Sequence, residues 1–250
     1  LRDCGQATIA VSGGVDSTVV ARLLMDAGAD VRAYVAVLDE PGLKEAADLE
    51  GAQRAADNLG IPLHVERVTV GGVEALLPRI VPRVGHDALV GVALALYLGL
   101  TAAHRDGVRV VFAGQGADEL FGGYARYRTV QDLAGACRRD VLDLWRRDTL
   151  RDDLVAAGCG IALRTPFLDT EVVRFAISLP DPLLRDGDIN KLVLRQAASL
   201  LGLPEEVALR PKRAAQYGSR LDHAIARLVK LAGVPRNEYL AQFVAGEQVH

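Results

Sequence analysis

The run Ser12-Gly13-Gly14-Val15-Asp16-Ser17 combines hydroxyl donors, residues without a Cβ and one carboxylate. It follows an apolar stretch with Ala7, Ile9 and Val11 and opens another with Val19, Val20, Leu23 and Leu24. A buried strand, a glycine turn and a helix N-terminus in that order aim backbone N–H groups and the helix dipole at one spot, which suits an anion such as phosphate. Gly13 and Gly14 are expected to take φ > 0 and bring the backbone close to an oxyanion. Ser12 and Ser17 add hydroxyls. No lysine follows the glycines, which excludes the Gly-x-x-x-x-Gly-Lys-Ser/Thr loop that grips a transferring γ-phosphate. Asp16 would repel bare phosphate unless Mg²⁺ lay between them.

A second glycine-rich run, Gly114-Gln115-Gly116-Ala117-Asp118-Glu119-Leu120-Phe121-Gly122-Gly123-Tyr124, follows the apolar residues 108–113. In open parallel sheets ligands bind beyond the carboxyl ends of strands, so this loop is expected to face the first. Asp118 and Glu119 would then meet Asp16 over the same phosphates. Carboxylates from two strand ends can share Mg²⁺ ions that bridge a leaving pyrophosphate.

The elements that must position these loops follow from periodicity. Strands are expected over 7–11, 31–38, 63–70 and 108–113, with 108–113 fully buried. Helices are expected over 16–27, 41–59, 72–81 and 87–104, the last apolar on nearly all sides and hence deep in the core. Strands separated by helices of this length imply right-handed βαβ units and a parallel α/β sheet. From Val130 the pattern turns helical and charged, so residues 1–124 read as an α/β core that carries the two anion-binding loops. Residues 125–250 read as a mainly helical extension of the same single domain, packed on that core to complete the site.

Composition is globular rather than disordered: 250 residues, 50% hydrophobic and 24% charged, enough chain for a full core. A net charge of −3 gives no reason to expect nucleic acid. Arg138, Arg139, Arg146, Arg147 and Arg151 read as a solvated basic helical face. Cys4, Cys137 and Cys159 form no Cys-x-x-Cys pair, so a reducing, cytoplasmic setting is expected. The apolar run 88–100 is too short to span a bilayer, and the histidines show no metal-ligand spacing.

Ser-Gly-Gly-x-Asp-Ser resembles the loop of the N-type ATP pyrophosphatases, which release the β and γ phosphates together and transfer AMP. With the second loop, Arg164-Thr165-Pro166-Phe167-Leu168-Asp169, and the lysines Lys191 and Lys212, residues from about 5 to 220 resemble the synthetase domain of asparagine synthetase. The resemblance implies a doubly wound parallel sheet of the adenine nucleotide alpha hydrolase type. It also implies MgATP-dependent adenylation of an aspartate-like carboxylic acid, followed by displacement of AMP by ammonia to give an amide. By position, Val11, Val37 and Gly114 would flank adenine in a cofactor site that includes Gly13 and Gly116, and Ser12, Gly14 and Ser17 would hold pyrophosphate. Asp16 and Asp118 would bind Mg²⁺, and Asp169 would lie in the acceptor-carboxylate region. Lys191 and Lys212 would meet the phosphates and the charge developing at the α-phosphorus. Lysine is otherwise limited to Lys44 and Lys230, and a lysine kept where arginine supplies most positive charge marks a point charge.

The sequence departs from that family in two ways. In the sequence as given the ATP-loop strand begins within the first ten residues, so no glutaminase domain built around Cys4 is expected ahead of it. The expected nitrogen source is therefore free ammonia, a separate glutaminase subunit's ammonia, or another nucleophile, and a homo-oligomer is a further expectation. Gln115 also stands where asparagine synthetases carry a glutamate able to bind or deprotonate ammonia, keeping the shape and losing the base. The competing readings are an RNA-modifying ATP pyrophosphatase, which for thiolation would want a cysteine near the loops, and a non-catalytic nucleotide-binding partner subunit.

Overall fold

The computed structural model describes residues 6–10, 13–43, 45–86, 88–210 and 218–244. Strands β1 (Gln6–Ala10), β2 (Asp30–Leu38), β3 (Leu63–Val68), β4 (Val110–Phe112) and β5 (Ala162–Arg164) form one sheet in the order β3-β2-β1-β4-β5. Every neighbouring pair is parallel. The chain lays β2 and β3 to one side of β1, then returns to place β4 and β5 on the other. The order reverses between β1 and β4, the position at which a doubly wound sheet opens a ligand crevice. The expected doubly wound α/β architecture is the one observed.

Strand β2 shows why helices cover both faces. Val31, Ala33, Val35 and Val37 pack in one core with α1 (Val15–Asp26) and α2 (Ala47–Leu59). Tyr34, Ala36 and Leu38 pack in a second core with α3 (Val70–Val84) and α4 (Val90–Arg105). Alternate strand residues face opposite ways, so apolar residues in both sets leave neither face for water. Helix α4 is threaded through the second core, with Val90, Ala93 and Leu94 fully buried.

Several element boundaries differ from expectation. The helix expected from Pro41 starts at Ala47, because Pro41-Gly42 makes a turn: Gly42 has φ 83° and the Leu43 N–H donates to the Glu40 carbonyl at 3.1 Å. Proline followed by glycine with positive φ suits a type II turn. Val70 leaves the third strand and opens α3, whose cap is the Thr69 hydroxyl accepting from the Gly72 N–H at 3.1 Å. Strand β4 is confined to three residues, and its first, Val110, is 36% exposed rather than buried.

The chain beyond residue 125 is not purely a helical layer. After α5 (Ala117–Phe121), the helix α6 (Leu133–Leu144) runs through a π-helical turn, Trp145–Thr149, into α7 (Leu150–Gly158). Residues Ala162–Arg164 then join the sheet as β5, a strand too short to show alternation in the sequence. Helices α8 (Thr170–Ile177) and α9 (Asp181–Leu184), the hairpin β6 (Arg185–Asp186) with β7 (Ile189–Asn190), and α10 (Leu192–Leu200) follow. No helix among the described residues is long and apolar enough to cross a membrane.

Candidate active site

Because β1 and β4 are adjacent, the loops at their C-terminal ends meet. A Cβ on Gly114 would stand 2.9 Å from the Asp16 Cβ and 3.0 Å from the Ser17 nitrogen, so glycine is what lets the loops touch. Gly13 takes φ 70°, and a Cβ there would fall 2.0 Å from the Gly51 carbonyl carbon. Gly14 differs from expectation: at φ −81° and ψ 160° it is the extended residue capping α1, a position that favours glycine without needing positive φ. Its carbonyl accepts the Thr18 hydroxyl at 2.9 Å and the Ser17 hydroxyl at 3.3 Å. Val11 and Ser12 lie outside the described residues.

Asp16 and Asp118 face each other across a lysine. Lys191 Nζ lies 2.6 Å from both Asp16 carboxylate oxygens and 2.6 Å from Asp118 Oδ1, with the lysine side chain 1% exposed. Burial works against its charge, but Asp118 and Asp16 outweigh burial and hold the ammonium above the ordinary lysine range. Its backbone is left-handed, φ 54° and ψ 37°, at the cap of α10, a conformation few non-glycine residues adopt. A Cβ on Gly123 would come within 2.1 Å of Lys191 Cε and 1.9 Å of Asp118 Oδ1, so that glycine makes room for the pair. The Gly123 carbonyl accepts Asn190 Nδ2 at 2.7 Å, and Arg195 donates to the Asn190 carbonyl and side-chain oxygen at 2.7 and 2.9 Å. Nothing in the sequence marked Asn190 or Arg195.

Glu119 does not join Asp118 at the lysine. It is buried and accepts the Tyr124 hydroxyl, and burial raises both its carboxyl and the Tyr124 phenol above their usual ranges. Gln115 Nε2 donates to Asp152 Oδ2 at 3.1 Å. Arg151 donates through Nε to Asp152 Oδ1 at 2.9 Å and through Nη1 to Asp148 Oδ1 at 2.8 Å. Burial pushes the Asp152 carboxyl up against the pull of Arg151. Arg151, expected on a solvated face, is therefore buried among carboxylates, because α7 turns that side toward the second loop. The π-helical turn brings Arg147, Asp148 and Thr149 to the same cavity, and such turns are frequent at functional sites.

The cavity encloses about 440 Å³, lined by Asp16, Ser17, Tyr34, Val35, Ala36, Gly114, Gln115, Gly116, Asp118, Tyr124, Arg126 and Asp152 among others. Tyr34, Val35 and Ala36 reach it, whereas Val37 packs in the core below α1 and α2. Asp169 is exposed and caps α8, accepting from the Glu171 N–H at 2.9 Å; its neighbour Leu168 is the residue that packs on Gly116. Lys212 lies outside the described residues. Neither Cys137, whose thiol burial pushes up to about 11, nor Cys159 lines the cavity.

The sequence has relatives among known proteins. The chain matches the profile of the asparagine synthase family over residues 2–135 and 128–244. It is 32% identical over 283 aligned positions to the protein named glutamine-hydrolyzing asparagine synthetase 1 in Methanocaldococcus jannaschii, covering 96% of this chain and 51% of that protein. It is 31% identical over 218 positions to the glutamine-hydrolyzing asparagine synthetase of Gallus gallus, covering 83% and 39%. Over 130 positions it is 42% identical to asparagine synthetase domain-containing protein 1 of Mus musculus, covering 48% and 21%. The chain thus spans about half the length of the first relative and less of the others.

Proposed function

The chain belongs to the asparagine synthase family, and on that footing we propose that it is an ATP-dependent carbon–nitrogen ligase that adenylates an aspartate-like acid and passes the acyl group to ammonia. The observation that carries this reading is the meeting of Asp16, Asp118 and Lys191 where the loops after β1 and β4 converge. In the first half-reaction a carboxylate oxygen of the acid attacks the α-phosphorus, the bond to the β-phosphate oxygen breaks, and pyrophosphate leaves with that electron pair. In the second, ammonia attacks the acyl carbon, AMP departs and nitrogen loses a proton. The ammonia is free or is supplied by a glutaminase.

This chain's residues divide the work. Gly13, Gly14 and Ser17 hold the phosphates, while Tyr34, Val35, Ala36 and Gly114 border the adenine. Asp16 and Asp118 are the residues that would hold Mg²⁺. The donor set fits, since both carboxylates already gather round one cation at 2.6 Å and a hard divalent ion takes oxygen ligands. Such an ion supplies charge neutralisation to the leaving pyrophosphate. Lys191 keeps the two carboxylates together from beneath. Incubation with ATP, ammonium and a panel of carboxylic acids is expected to give AMP and pyrophosphate with one of them. ADP and phosphate as products would overturn the reading.

Gln115 bears on the second half-reaction. Glutamine cannot accept a proton from the incoming nitrogen, so amide formation from ammonium is expected to rise with pH as free ammonia increases. Gln115→Glu should speed that step, leaving acid-dependent exchange of labelled pyrophosphate into ATP unchanged. The new carboxylate would face Asp152, which sits 3.1 Å from the present amide, and like charges at that distance hold a carboxyl protonated. The gain should therefore be about tenfold or more at pH 8 and vanish toward pH 6. Single-turnover amide formation across that range checks it; a gain independent of pH would place the base elsewhere.

A further inference from the structure

We propose that Arg210 is a positioning residue for the pyrophosphate loop, fixing the Gly13–Gly14 peptide from behind without touching phosphate; this rests on the nucleotide reading above. Arg210 Nη1 donates to the Gly13 carbonyl and Nη2 to the Ala47 carbonyl, each at 2.7 Å. One planar guanidinium therefore joins the turn after β1 to the start of α2. In a trans peptide the carbonyl and the following N–H point in opposite directions. Holding the Gly13 carbonyl thus turns the Gly14 N–H away from the guanidinium and sets which groups the loop offers to an anion.

Such a clasp answers a local weakness. Gly13 has φ 70°, and glycine enters that region about as readily as its mirror image, so the residue itself does not choose one orientation of the peptide. The surroundings are shaped around the arginine. A Cβ on Gly51 would lie 1.7 Å from Arg210 Nη1, and a Cβ on Gly13 would strike the Gly51 backbone. Two missing side chains let loop, helix and guanidinium stack in contact. The Arg210 carbonyl also accepts Arg195 Nη1 at 3.2 Å, and Arg195 holds the Asn190 segment that precedes Lys191. A lysine at 210 could not span both carbonyls with one rigid fork.

The test separates pyrophosphate from AMP. Calorimetry in Mg²⁺ buffer would measure inorganic pyrophosphate and AMP binding to wild type, Arg210→Met, Arg210→Lys and Gly51→Ala, with melting curves for each. Arg210→Met is expected to weaken pyrophosphate about tenfold or more while AMP stays within about twofold, since loop misplacement touches only the phosphate side. Arg210→Lys should recover part of the loss, and Gly51→Ala, which displaces the guanidinium without deleting it, should reproduce it even if Arg210→Met fails to fold. Unchanged pyrophosphate affinity in Arg210→Met or, where that variant does not fold, in Gly51→Ala overturns the proposal. So does a parallel loss of AMP, pyrophosphate and melting temperature, which would mark a merely structural arginine. Wild-type protein that binds neither probe overturns the nucleotide reading itself, and this role with it.

Discussion

Lys191→Met is expected to lose about 3–5 kcal/mol of stability at neutral pH, because it leaves Asp16 and Asp118 without the buried cation between them. The variant keeps an apolar stem of similar length, so packing changes little and the loss reports charge. In a chain of this size the melting temperature should fall on the order of 10 °C. The pH dependence has a definite sign. The folded lysine is held above its ordinary value of 10.5, so its stabilising contribution is complete below that value and fades only as pH rises through the folded one. The variant's deficit should instead shrink as pH falls and the carboxylates take up protons. If the two aspartates can hold Mg²⁺, millimolar Mg²⁺ should raise the melting temperature of Lys191→Met more than that of wild type. Equal melting temperatures for the two proteins would show that the triad is electrostatically idle.

Lys212→Ala is expected to lower kcat by a factor on the order of 10² to 10³ with little change in ATP affinity, as for loss of a cation acting on developing phosphoryl charge. The motive is where its flanking residues sit. Arg210 is bonded to the Gly13 carbonyl. At the other flank the Ser219 carbonyl accepts the Leu38 N–H at 2.9 Å, and Ser219 itself lines the cavity. The described residues on either side of Lys212, Arg210 and Ser219, thus lie against the first loop and the cavity. Steady-state kinetics of acid-dependent AMP formation would check it; a rise in KM alone would mean that Lys212 supplies uniform binding.

What could be read from the sequence divides along the line between local and distant constraint. Asp16, Gln115 and Asp118 were legible because each sits in a glycine loop after an apolar run, and a parallel sheet forces such loops to one edge. The facing of the loops followed without side-chain detail. The Lys191 bridge was not legible, since a lysine pointing at phosphate and a lysine pointing at two carboxylates look alike in one dimension. Gln115's partner Asp152 belonged to a stretch whose charges read as solvated, and only the folded chain brings the two together. Strand β5 escaped because Ala162, Leu163 and Arg164 are too few to show a period. Val37 was one position past the residues that reach the cavity.

The Asp16–Lys191–Asp118 triad also bears on how the chain acquires its shape. Synthesis from the N-terminus delivers both carboxylates, and the whole of β1 to β4 that presents them, long before Lys191 leaves the ribosome. Until then the two acids lie together without the Lys191 ammonium between them, and the sheet's ligand edge is less favoured to close. A polypeptide ending near Tyr124 would keep the nucleotide loops and lack the charge that lets them settle. The α/β half and the later helices should accordingly fold as one cooperative unit, with the edge of the crevice among the last parts to become ordered.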